Sequence, residues 1–245
     1  MNRPHSPETK LNFIARCRSL MKIRREWPVL LTLLLSAAGT WLFIVLADMV
    51  VDGSADAIDK ELLLLFRDQE DPSRMAGPRW FQEMMRDFTG LGSTGVLTLV
   101  TLSAVGFLVL ERKDHAALLL LISVLGGVLL SNALKLTFAR PRPPFADIGP
   151  LVTSASFPSG HSMMSAVVYL TIGAIVAHMR PDPRVGAFVL TLAVFVTVLV
   201  GLSRIYLGVH WPTDVLAGWA VGSAWAILCL LVALLLQRRG DIERS

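Results

Sequence analysis

The chain has 245 residues, of which 53% are hydrophobic and 17% charged, and it carries a net charge of +4. Soluble domains carry about 25% charged residues. Here the charges gather in short blocks between long apolar stretches, which excludes an ordinary soluble domain and reads as a membrane-spanning chain. The basic residues flank the apolar stretches, so an anionic bilayer surface accounts for them and no nucleic-acid partner is expected.

Residues 1–27 hold seven basic residues (Arg3, Lys10, Arg16, Arg18, Lys22, Arg24, Arg25) against Glu8 and Glu26. By the positive-inside bias this segment is expected in the cytoplasm. The apolar stretch that follows, 28–50, exceeds a signal-peptide core of about 7–15 residues, so it reads as an uncleaved first helix. Residues 51–90 hold five basic and nine acidic residues and are expected outside. Within them, Ile58, Leu62, Leu65, Phe66 and then Trp80, Phe81, Met84, Met85, Phe88 recur at helical spacing, with a break at Asp71-Pro72-Ser73. Two short amphipathic helices near the membrane interface are predicted there.

Five further spans follow, at 91–110, 116–138, 161–178, 185–202 and 215–236, each near the ~20 residues a bilayer core requires. Backbone polar groups in lipid must pair within the segment, and strand alternation is absent, so the expected fold is an all-α polytopic bundle of six transmembrane helices. It divides into a cytoplasmic segment 1–27, a single membrane domain 28–236 with its core at 91–236, and a cytoplasmic tail 237–245. The turns near Glu111–His115 and Arg180–Arg184, and the tail with Arg238, Arg239 and Arg244, then face inward. Residues 51–90, 139–160 and 203–214 face outward. Cys17 and Cys229 are too few and too far apart for a disulfide framework or a metal cluster. Trp27, Trp41 and Trp211 are expected as interfacial anchors. Trp219 and Trp225 are expected in helix packing. Gly218 and Gly222, spaced as G-x-x-x-G, permit close helix contact but leave the oligomeric state open.

The last two outer regions carry the chemistry. Lys135, Arg140 and Arg142 close the third span, Ser159-Gly160-His161 opens the fourth, and Ser203-Arg204 through His210 to Asp214 joins the fifth to the sixth. Charged groups beside a span mark functional sites. The guanidinium fork of Arg and the point charge of Lys suit a phosphate. Ser159 is a helix N-cap candidate, and Gly160 lets the backbone approach bound oxygens at the helix start. Pro212 suits the first turn of a helix, which places Asp214 within reach of one nitrogen of His210. That pairing fixes the imidazole tautomer and leaves the other nitrogen to act. With His161 as proton donor, two histidines flanked by cations make a phosphoryl-transfer site that calls for no metal or other cofactor.

These three stretches resemble the signature of the type 2 phosphatidic acid phosphatase (PAP2) superfamily, which also contains the soluble vanadium haloperoxidases. Lysine, six residues and Arg-Pro runs from Lys135 to Arg142-Pro143. Pro-Ser-Gly-His is Pro158 to His161. Ser-Arg, five residues, His, three residues, Asp is Ser203-Arg204, His210 and Asp214. The resemblance implies that His210 is a nucleophile forming a phosphohistidine, that Asp214 orients it and that His161 protonates the leaving group. It also implies that Lys135, Arg142, Ser159, Gly160 and Arg204 hold phosphate oxygens. Arg140 lies outside the motif and is expected to bind a second phosphate or a lipid headgroup. The implied protein is a bacterial inner-membrane enzyme with both termini in the cytoplasm and its site on the outer face. It would hydrolyse a lipid phosphate monoester or pyrophosphate, with undecaprenyl pyrophosphate favoured. Phosphatidylglycerophosphate, phosphatidic acid and diacylglycerol pyrophosphate are alternatives. So are a lipid A phosphatase, a lipid phosphotransferase and a non-enzymatic phospholipid binder or transporter.

Overall fold

The computed structural model describes residues 7–144 and 155–239, with side chains at 27, 29–144 and 155–237. The basic side chains of the N-terminal segment and those of Arg238, Arg239 and Arg244 lie outside the described side chains. Among the described residues eight helices run in the order α1 (Pro7–Val51), α2 (Asp56–Leu64), α3 (Arg79–Gly90), α4 (Thr94–Leu110), α5 (Asp114–Phe138), α6 (Gly160–Met179), α7 (Pro183–Tyr206) and α8 (Pro212–Arg239).

Among the described residues five segments are long and apolar enough to cross a membrane: Val29–Val51, Asp114–Phe138, Gly160–Met179, Pro183–Tyr206 and Pro212–Gln237. A sixth arises if α3 and α4, which meet at a 50° bend, form one broken span. The chain is therefore an all-α, multi-pass membrane bundle of five or six long apolar helices. The break falls at Leu91–Ser93, where the Ser93 hydroxyl accepts from Val96 N and caps α4. The expected span 91–110 thus begins three residues later.

The bundle is built around α6, which packs against α5, α7 and α8, while α1 packs along α8. Its sequence explains the central place. Gly160, Ser162, Ser165, Ala166 and Gly173 are small, and small residues let helix backbones approach where lipid supplies no hydrophobic drive. Its buried hydroxyls are paired: Ser165 Oγ donates to Ser162 O at 3.0 Å, and Thr171 Oγ1 lies 3.0 Å from Ser123 Oγ on α5. Large apolar side chains such as Leu99, Leu129, Leu136 and Phe188 point outward instead.

Glycines mark the tight crossings. Cβ atoms at Gly218 and Gly222 of α8 would fall 2.7 Å from Ser159 O and 2.5 Å from Met163 O, so this G-x-x-x-G pair serves the α6–α8 contact inside the chain. Trp219 fills the notch at Gly201 and donates to Thr197 O, and Trp225 fills the notch at Gly126 and donates to Ser123 O. Both tryptophans act in helix packing, as the sequence indicates. Trp41 is exposed near the middle of its span, so its expected interfacial position is not met.

The two short helices α2 and α3 differ in orientation. In α3, Phe81, Met84, Met85 and Phe88 are half-buried while Arg79, Glu83, Arg86 and Asp87 are exposed, but Trp80, expected on the apolar face, is 65% exposed. In α2 the aliphatic face is turned outward: Ile58 and Leu62 are exposed, and the buried residues are Asp59 and Leu63. A carboxylate directed into the protein requires a partner, and it has one in the site below.

Candidate active site

The ends of four helices converge at one end of the bundle. α5 closes at Phe138, and Ala139 turns into the left-handed region with φ 26°. Pro141 has no N–H to continue a helix, so Arg140 and Arg142 leave on an extended strap. The strap is anchored where Ser156 N donates to Arg140 O (2.9 Å) and Ser156 Oγ to Pro141 O (3.1 Å). Beneath it, Phe43, Phe138 and Phe157 pack ring to ring with centroids 5.1–6.2 Å apart, joining α1, α5 and the approach to α6.

Ser159 caps α6, its hydroxyl accepting from Ser162 N and Ser162 Oγ. The next N–H groups of that first turn have no intrahelical partner and carry the positive end of the helix dipole. Lys135 reaches this turn: a Cβ at Gly160 would lie 3.2 Å from its Nζ. Gly160 therefore admits the ammonium beside the helix start. His161 sits within electrostatic reach of Arg204, His210, Lys135 and Arg142.

Ser203 and Arg204 belong to the last turn of α7, which corrects their expected place in an outer loop. The helix runs on until Gly208, whose φ of 69° supplies the left-handed residue that ends it. Arg204 Nη1 donates to Thr89 Oγ1 at 2.9 Å, while its buried Nε has no partner among the described residues. An orphaned guanidinium donor in a cationic pocket fits an anionic oxygen.

Pro212 opens α8, and Asp214 follows in its first turn, fully buried. Asp214 Oδ2 lies 3.4 Å from His210 Nδ1 and accepts from Trp211 N at 2.9 Å. His210 Nε2 lies 3.3 Å from Arg142 Nη1, and arginine can only donate. The two contacts agree on one tautomer, with the proton on Nδ1 and the lone pair on Nε2. Burial pushes His210 down to about 4; Asp214 opposes this, while Arg204 and Arg142 reinforce it. The imidazole is thus neutral at pH 7 and its free nitrogen is aimed at the cationic cluster.

Arg140 departs from expectation. Its Nη1 donates to Thr213 Oγ1 (2.8 Å) and Asp214 Oδ1 (2.9 Å), and its Nη2 to Asp59 Oδ2 (2.8 Å) and Asp56 Oδ1 (3.0 Å). Burial alone would lower its pKa, but the three carboxylates prevail and raise it. A guanidinium saturated by carboxylates is not offered to a second phosphate or a headgroup, because that would break buried ion pairs. Trp211, expected at the interface, stacks under Arg140 at 5.5 Å and donates to Pro141 O.

The structure therefore gathers Lys135, Arg142, Ser159, Gly160, His161, Arg204, His210 and Asp214 at one place and sets Arg140 behind Asp214. Sequence reasoning passed over Asp56, Asp59, Thr89 and Thr213. For the first two a signal exists: an i, i+3 acidic pair in a segment whose other face is aliphatic. Among the described residues, no group of three or more His, Cys, Asp or Glu side chains is placed to hold a metal ion.

Residues 116–238 match the model of the PAP2 superfamily. This chain belongs to the PAP2 superfamily. It falls in the membrane lipid phosphatase branch and is an enzyme with phosphatase or pyrophosphatase activity on lipids. It is similar to the phosphatidylglycerophosphatase B of Bacillus subtilis (strain 168), 41% identical over 147 residues that cover 58% of this chain and 70% of the relative. It is also similar to an undecaprenyl-diphosphatase of Sulfolobus acidocaldarius, 33% identical over 121 residues, covering 47% and 54%. The crystal structure of a transmembrane PAP2-type phosphatidylglycerolphosphate phosphatase from Bacillus subtilis superposes with a TM-score of 0.68 at 31% identity, covering 85% of this chain and 98% of that one.

Proposed function

We propose that this PAP2 enzyme removes the terminal phosphate from a glycerophospholipid phosphate monoester of the phosphatidylglycerophosphate type, through a phosphohistidine at His210. The observation that carries the mechanism is the His210 imidazole, held at Nδ1 by Asp214, with Nε2 facing Arg142. In the first step Nε2 attacks phosphorus, the bond to the lipid oxygen breaks, and His161 gives that oxygen its proton. In the second, water attacks the phosphohistidine and His161 takes up a proton from it, releasing inorganic phosphate and restoring both histidines. Lys135, Arg142, Arg204 and the first-turn N–H groups at Ser159-Gly160 neutralise the phosphoryl oxygens, where charge is held in the transition state.

A preference for a monoester is supported by Arg140, whose engagement with Asp56, Asp59 and Asp214 leaves the site without the extra cation expected to hold a second phosphate. The similarity to the Bacillus enzymes points the same way. The sequence alone favours undecaprenyl pyrophosphate; that is kept as a second reading because of the undecaprenyl-diphosphatase relative. The site faces the outer leaflet of the bacterial inner membrane, both termini lie in the cytoplasm, and α2 and α3 rest at the interface. The exposed Ile58 and Leu62 of α2 and Leu65 at its C-terminal end support that placement.

The test is inorganic phosphate release by detergent-purified protein from phosphatidylglycerophosphate, phosphatidic acid, diacylglycerol pyrophosphate and undecaprenyl pyrophosphate. Phosphatidylglycerophosphate is expected to turn over fastest, and His210→Ala is expected to lose turnover on every substrate. Faster release from undecaprenyl pyrophosphate would overturn the monoester preference. Full turnover by His210→Ala would overturn the mechanism.

A further inference from the structure

We propose that Arg140, backed by Asp59 of the outer helix α2, is a positioning residue for the nucleophile, acting on His210 through Asp214. The proposal rests on the phosphohistidine reading above. Its geometry is a relay of direct contacts. Asp59, fully buried, accepts from Arg140 Nη2 (2.8 Å) with Oδ2 and from Thr213 N (2.9 Å) with Oδ1, and Thr213 Oγ1 also donates to it. Arg140 Nη1 holds Asp214 Oδ1 at 2.9 Å, and the opposite oxygen of Asp214 faces His210 Nδ1 at 3.4 Å.

Two consequences follow from this order. Asp214 is held on both oxygens, so it cannot rotate away from the imidazole. Its charge is also shared with Arg140, so His210 meets less than a full carboxylate and keeps its nucleophilic nitrogen unprotonated. The groups that act on His210 are otherwise Arg204 from α7, Arg142 from the strap after α5 and His161 from α6. Arg140 is the cation set on the side of Asp214 away from these. Asp56 and Asp59 precede the segment that matches the family model, residues 116–238. The device therefore couples the outer segment of this chain to the family core.

The experiment compares the wild type with Arg140→Met, Arg140→Lys, Asp59→Asn and His210→Ala in detergent micelles. The readouts are kcat and KM for phosphatidylglycerophosphate, and the midpoint of proton uptake by the His210–Asp214 pair, followed by histidine ring carbon NMR. Arg140→Met is expected to lower kcat on the order of 100-fold with KM changed by less than about threefold. It is expected to raise the midpoint by about one unit, because Asp214 is no longer offset. Asp59→Asn removes a negative charge behind Arg140 and is expected to move the midpoint down. Because it preserves volume, it carries the test if Arg140→Met does not fold. Arg140→Lys keeps the charge without the fork and is expected to restore the midpoint but not the full kcat. A raised KM at unchanged kcat would make Arg140 a substrate ligand and overturn the proposal. Midpoints identical to wild type in Arg140→Met and Asp59→Asn, with His210→Ala inactive, would overturn it and leave the mechanism standing. Full turnover by His210→Ala would overturn both.

Discussion

Replacing Gly218 by alanine tests the helix contact that sets the active-site geometry. A Cβ at this position would lie 2.7 Å from Ser159 O, 3.0 Å from Ser162 Cβ and 3.1 Å from Met163 N. Two of these are main-chain atoms of α6, so no flexible side chain can give way and the helices must part. Restoring ordinary contact distances takes a displacement on the order of 0.5–1 Å. Overpacking of this kind costs about 1–3 kcal/mol, against a gain of about 1 kcal/mol in helix propensity. The net expectation is a loss of about 0–2 kcal/mol. The effect on turnover should be larger than that loss implies. Ser159 N donates to Asp214 O at 2.9 Å, so parting the helices moves the proposed phosphate cradle away from His210. A misplacement near 1 Å costs about 100-fold in rate. Thermal unfolding in micelles and kcat/KM on one lipid phosphate measure the two effects. Gly106→Ala is the control: nothing lies within 4 Å of its Cβ, so it should match or exceed the wild-type melting temperature. Wild-type stability and turnover in Gly218→Ala would refute the argument that this crossing positions the site.

Three other outcomes are expected. His210 should titrate near 4 rather than 6.5, with its neutral form present above that value and lost as pH falls through it; ring-carbon NMR with His210→Ala for assignment would show this, and a midpoint above 6 would contradict it. Asp214→Asn keeps the shape but cannot hold the same tautomer or balance Arg140, so kcat should fall by about 10²–10⁴-fold, measured against folded protein. Turnover should persist in excess EDTA, as the proposed chemistry uses imidazole and fixed cations alone; loss that is restored by a divalent ion would contradict the mechanism.

The parts of the site legible in the sequence are those fixed by local rules. Ser159 caps a helix because its hydroxyl reaches the N–H three residues on. Pro212 starts one because it lacks the donor that a first turn does not need. Asp214 then lies four residues from His210 on the same turn. The aliphatic spans were legible for the same reason, their length being set by the bilayer. What was not legible depends on partners far away in the chain. Arg140 meets Asp59 and Asp56 across 81 and 84 residues, and nothing near Arg140 announces that its charge is already matched. The aliphatic spacing of α2 was visible, but not that Asp59 would be the residue turned inward. The apolar pattern ends α7 at residue 202, whereas the helix continues four residues to Tyr206 and closes through the left-handed Gly208.

The hydrogen bond from Ser159 N to Asp214 O joins main chain to main chain. Side-chain substitution at Asp214 leaves its carbonyl in place, and at Ser159 only proline deletes the donor. Substitutions at these two positions other than proline at Ser159 therefore leave this tie between the helix starts in place. Side chains around the pocket can change without removing this tie between the two helix starts.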